Sequence, residues 1–141
     1  MSSTSGTPMT SIVIDPGACG FICKITAKGT GRYDAIVTVE SECKQIKRLA
    51  QEVSSVDFME IVKGRFGENA IFHAASRCGL HSSCLIPSSL IKAVEAELGM
   101  AVKKHVSITF EESRQHQHTF ETSGGSEDLF SRGGWDNPVH N

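Results

Sequence analysis

The sequence predicts an α+β fold: a small mixed β-sheet, made of a hairpin plus outer strands, packed against two or three helices in the order β-ββ-α-α-α-β. Three observations predict it. Two runs alternating with a period of two flank a glycine-bearing turn, later segments carry apolar residues at helical spacing, and Val106, Ile108 and Phe110 alternate again near the end of the patterned body. A chain of 141 residues, 39% hydrophobic with net charge -2, fits one domain whose core can fold without disulfides.

In order, Ser11 to Ile14 is a short apolar run closed by Asp15-Pro16-Gly17, a turn signal that puts Cys19 in the following loop. Phe21, Cys23, Ile25 and Ala27 then share one strand phase, and Ala35, Val37 and Val39 repeat it beyond the turn from Lys28 to Arg32. Cys23 reads there as a small buried hydrophobe. Ser41-Glu42-Cys43 opens a helix with Ile46, Leu49, Ala50 and Val53 on one stripe. Asp57 and Glu60 have capping-box spacing, and Gly64 stops that helix. Asn69 to Arg77 forms a short Ala-rich helix delivering Cys78-Gly79 into a loop, and His73 on it reads as a packing or surface residue. Ser88 to Leu98 carries the stripe Leu90, Ile91, Val94 and Leu98, stopped by Gly99, and a last strand follows.

Composition divides the chain into a disordered N-terminus (1–10), a four-cysteine metal-binding body (11–111) and a flexible polar tail (112–141). His116 and His118 in the tail read as solvated. The start has neither a basic n-region nor an apolar h-region, and no stretch approaches the roughly 20 apolar residues of a membrane span. The balanced charge excludes nucleic acid as an electrostatic partner, and the chain reads as cytoplasmic. Five cysteines, an odd number, then point to metal or redox chemistry rather than a disulfide framework.

Cys19, Cys43, Cys78 and Cys84 sit at turns or helix starts, which suggests one four-thiolate site with Cys23 elsewhere. Helix-start N–H groups favour the Cys43 thiolate. His81, three residues before Cys84, is a candidate to hydrogen-bond a sulfur. Structural zinc sites usually show paired C-x2-4-C knuckles, whereas these are single cysteines from separate loops, which favours an iron–sulfur cluster, 4Fe-4S, with zinc as the alternative. Lys28-Gly29-Thr30-Gly31-Arg32 lacks Walker spacing, so no nucleotide site is expected. Glu95 and Glu97, two apart on a helix, read as ordinary solvated surface.

The order of these features resembles the TSCPD domains, small four-cysteine modules found alone and at the carboxyl end of B12-dependent ribonucleotide reductases. In that family a cysteine precedes a hairpin, a second opens the next helix, a Cys-Gly follows, and a Ser-Cys-Pro-Asp-like motif starts the last helix. Cys19, Cys43, Cys78-Gly79 and Ser83-Cys84 hold those places, with Leu85-Ile86 where the family has Pro-Asp. The Pro-Gly-x-Cys-Gly-Phe opening and His-x-x-Cys-x-x-Pro look closer still to uncharacterised small proteins of strict anaerobes and methanogens. The resemblance spans about Asp15 to Phe110 and implies a metal-binding module more than a reaction.

The expected function is an iron–sulfur accessory or electron-transfer protein serving an anaerobic redox enzyme, without catalysis of its own. A zinc-stabilised protein-interaction module is the alternative. An enzyme with Cys84 or Cys43 as nucleophile and His81 as base has the residue types but no signature. A homo-oligomer sharing the cluster stays open.

Overall fold

β1 (Thr10–Ile14), β2 (Cys23–Gly29) and β3 (Asp34–Ser41) form an antiparallel meander in the computed structural model, which describes residues 8–112. Residues 1–7 and 113–141, with most of the expected disordered start (1–10) and flexible tail (112–141) and with His116 and His118, lie outside the described residues, while Thr10, expected to be disordered, opens β1 and is buried. Each strand alternates as its sequence demands. Cys23, Ile25, Ala27, Ala35, Val37 and Val39 are buried on one face, while Lys24, Lys28, Ile36, Thr38 and Glu40 are exposed on the other.

α1 (Lys44–Glu52) packs back along β3 and sends Ile46 and Leu49 into the core. It returns the chain to the start of β3, where β4 (Ser55–Asp57) pairs Val56 with Ala35. Because α1 reverses the direction, that pairing is also antiparallel. The sheet is therefore antiparallel throughout, in the order β1-β2-β3-β4, rather than mixed.

α2 (Phe58–Lys63) starts where the Asp57 carboxylate accepts the Met59 N–H at 2.8 Å, and α3 (Ala70–Arg77) where Asn69 Oδ1 accepts the Phe72 N–H at 3.0 Å. Such side-chain acceptors satisfy otherwise orphaned helix-start donors. α4 (Ile86–Glu97) begins two residues before the expected Ser88, with Pro87 in its first turn, where the missing N–H costs nothing. The helical segments expected from the sequence all form, so the order among the described residues holds four helices rather than three.

α4 runs along β2 and β1 on the core face, with Leu90, Ala93 and Val94 fully buried. Its far end is fastened to the sheet by Glu97, which accepts the Thr10 hydroxyl at 2.7 Å and the Gly29 N–H at 3.0 Å. Glu97 is thus a tether, not the solvated surface residue its spacing from Glu95 suggests. Burial raises its carboxyl pKa, but those hydrogen bonds and Lys103 outweigh that effect and hold it below its ordinary 4.5. A depressed carboxylate stabilises the fold above its unfolded pKa and loses that contribution as pH falls through the lower folded value. Glu97→Ala is expected to cost about 1–2 kcal/mol near pH 7. In urea titrations its gap from the parent chain should narrow as pH drops below 4.5.

The chain divides at residue 105, and Val106 begins a second unit. Residues 102–112 lie in no strand, so the expected closing strand is absent among the described residues. Val106, Ile108 and Phe110 are 67%, 71% and 96% exposed. Alternation alone cannot make a strand when nothing completes its hydrogen-bond ladder. No helix among the described residues is long and apolar enough to cross a membrane.

Candidate metal centre

Three pieces of chain meet at the end of the sheet opposite Glu97. The first is the β1–β2 loop. Asp15 Oδ1 accepts the Gly17 N–H at 3.0 Å, and the Gly20 N–H returns to the Gly17 carbonyl at 2.9 Å, so Cys19 sits in a closed turn and is exposed. Gly17 and Gly20 take φ of 77° and 74° there, a region costly for other residues. The loop leads into Cys23, the first residue of β2, which is 0% exposed.

The second piece is the step from β3 into α1. Ser41 pairs with Cys23 across the sheet, and Cys43 two residues later is the N-cap of α1. Ser41 Oγ accepts the Cys43 N–H at 3.2 Å, while the Cys43 thiol donates to Gln45 Oε1 at 3.2 Å. The third is the approach to α4. A turn closed by the Cys84 N–H on the His81 carbonyl at 3.0 Å sets Cys84 just before that helix, half-buried like Cys43. His81 is exposed, and its Nδ1 lies 2.9 Å from Ser83 Oγ.

Mutual electrostatics link these thiols. Burial pushes the Cys23 thiol up to about 11, and negative charge at Cys84, Cys43 and Glu40 adds in the same direction. Burial also raises Cys84; a hydrogen bond from the Ile86 N–H partly offsets this, and charge on Cys43 and Cys19 adds to it. Cys43 and Cys84 are thus within electrostatic reach of Cys23, and Cys19 and Cys43 within reach of Cys84, which puts the four thiols in one neighbourhood.

Cys78 stands apart. It caps the end of α3, buried, with its thiol donating to Glu52 Oε1 at 3.5 Å. Glu52 is the last residue of α1 and Cys43 precedes the first, so about 13 Å of helix axis separates them at 1.5 Å per residue. Arg77 grips the other oxygen of Glu52 at 2.8 Å. The Cys78 pKa is raised by burial first, then by the hydrogen bond to Glu52 and that residue's charge, against Arg77 and Arg48. Of the four cysteines chosen from the sequence, the fold gathers Cys19, Cys43 and Cys84, adds Cys23, and places Cys78 with Glu52 and Arg77. The strand phase that makes Cys23 a core residue also brings it within electrostatic reach of Cys43 and Cys84.

A single tetrahedral ion holds its sulfurs about 2.3 Å from one centre. Among the described residues, no three His, Cys, Asp or Glu side chains are grouped to hold one ion.

No curated protein and no solved structure shows a significant match to the chain. The model of a family of unknown function, DUF6951, matches residues 10–110, a span that contains every strand and helix of the described residues and all five cysteines, and the chain belongs to that family.

Proposed function

We propose that this protein is a cytoplasmic iron–sulfur protein that carries electrons, or delivers a cluster, to an anaerobic partner enzyme, with Cys19, Cys23, Cys43 and Cys84 as the residues that would hold the cluster. The observation carrying this reading is the neighbourhood of four thiols at one end of the sheet, where charge on neighbouring cysteines raises the cost of ionising Cys23 and Cys84. Ligation requires thiolates, and a cationic metal core offsets that repulsion, whereas an isolated protein thiol lacks such compensation. The cluster would supply one-electron chemistry. The chain's own residues supply the rest. The Cys19 turn leaves one sulfur at the surface, and burial of Cys23 shields the opposite side from water.

A partner surface adjoins the site. Phe21 and Ile22 are 45% and 52% exposed, and Phe21 lines a cleft with Glu42, just before α1, and with Lys44, Gln45 and Arg48 on its first turns. An apolar pair beside cationic side chains suits an acidic docking face on the partner. The likeness to four-cysteine modules supports metal binding, although it gives the fourth place to Cys78 rather than Cys23.

The test is anaerobic purification followed by a visible spectrum with iron, sulfide and zinc analysis. Brown protein with iron, sulfide and a band near roughly 400 nm is expected for thiolate-bound clusters. Colourless protein with one zinc per chain would replace this reading with a zinc-stabilised interaction module, and metal-free protein reconstituting neither would end both.

A further inference from the structure

Among the described residues, β1 is an outer strand with one side of its backbone unpaired. Natural edges are blunted by charge, proline, bulges or shortness. Thr10-Ser11-Ile12-Val13-Ile14 has no charge and no proline, and it pairs with β2 at all five positions without a bulge. Its core-side residues are incompletely covered, since Thr10 is buried while Ile12 and Ile14 are only partly so. The opposite edge is the three-residue β4, which offers far less ladder.

The segment Val106-Ser107-Ile108-Thr109-Phe110 has the complementary character. It matches β1 in length, alternates apolar and polar residues, and its three apolar side chains are exposed. We propose that residues 106–110 of one copy add as a fifth strand to the β1 edge of a second copy, antiparallel, forming a reciprocal two-fold dimer.

Charge and phase select the register. With Phe110 opposite Thr10, Ile108 opposite Ile12 and Val106 opposite Ile14, the apolar residues extend the core face, and Ser107 and Thr109 face solvent. His105 then falls opposite Asp15, with Lys103 and Lys104 just before it. A parallel arrangement in the same phase would set Glu111 against Asp15, a like-charge pair. Exchange between copies is the isologous arrangement that closes on itself, so two open edges are consumed and no filament grows.

Light scattering coupled to size-exclusion chromatography on the full chain tests this. The parent chain and Thr109→Lys, altered on the solvent side, should have about twice the 15.2 kDa chain mass. Ile108→Lys, altered on the core side, should have the single-chain mass with an unchanged far-UV circular dichroism spectrum. A monomeric parent chain, or Ile108→Lys and Thr109→Lys behaving alike, would overturn the proposal. Isotope-filtered NOEs in a mixed-label dimer should connect Ile108 of one chain to Ile12 of the other, and a dimer without them overturns it as well.

Discussion

Cys23→Ala is expected to lower cluster iron on the order of tenfold or more, whereas Cys78→Ser is expected to leave it unchanged. The sequence alone leads to the opposite expectation. Its reversal follows from Cys23 sharing a neighbourhood with Cys43 and Cys84, while the Cys78 thiol is engaged by Glu52 near the far end of α1. Even residues that only support a ligand typically matter 10–100-fold in metal affinity, about as much as is asked of a ligand here. Alanine is the informative replacement at Cys23. A serine at a position 0% exposed would also bury a hydroxyl, costing about 1–3 kcal/mol and confusing loss of a ligand with loss of fold. Iron and sulfide per chain, measured beside the circular dichroism spectrum of each variant, separate the two effects. Equal iron in Cys23→Ala and the parent chain would remove Cys23 from the proposed ligand set, and loss of iron in a folded Cys78→Ser would return Cys78 to it.

Leu90→Ala should cost about 3–4 kcal/mol, the largest stability effect expected of a single truncation here. Leu90 is 0% exposed in the middle of α4 and lies on the face that covers β2 and β1. Truncation removes apolar atoms from a close-packed layer between a helix and a sheet, neither of which can collapse far into the gap. A small domain has about 5–15 kcal/mol in total, so this variant should unfold at a clearly lower urea midpoint with an unchanged slope. Lys92→Ala, exposed on the same helix, should stay within about 0.5 kcal/mol of the parent chain. Comparable shifts in the two would mean that α4 does not cover the sheet in solution.

Periodicity revealed the elements that own a full buried face. The β2–β3 hairpin, the Ile46 and Leu49 stripe of α1 and the Leu90 and Val94 stripe of α4 could be read because each repeats its pattern over several positions. β4 was missed because three residues, with only Val56 buried, are too few to show alternation. Phe21 fits the phase of β2, yet the strand begins at Cys23 and Phe21 is left exposed beside α1. A pattern cannot tell where pairing stops when the neighbouring strand has already turned away. The segment 106–110 is the reverse case, a strand pattern with no ladder in the described chain.

For the thiols the difficulty was distance. Cys78 and Cys84 are six positions apart in sequence, yet the end of α3 takes Cys78 to Glu52, while the turn from His81 returns the chain to Cys84 and the start of α4. Cys23 and Cys84 are 61 positions apart, yet they are within electrostatic reach of each other. Which thiols meet depends on α4 running in the same direction as β2. That direction is fixed at the opposite end by Glu97 reaching Thr10 and Gly29, an interaction that no local pattern announces.

The placement of α4 has a kinetic consequence. The meander from β1 to β3 joins strands that are neighbours in sequence, so it can zip from its turns with little loop closure. α4 must instead close a loop of more than fifty residues to reach β2. Its docking is therefore expected to be the late event in folding. Until then Cys84 is absent from the company of Cys19, Cys23 and Cys43, and a nascent chain still short of α4 presents three thiols rather than four. The fold thereby completes its sulfur-rich corner only once α4 has been synthesised and seated.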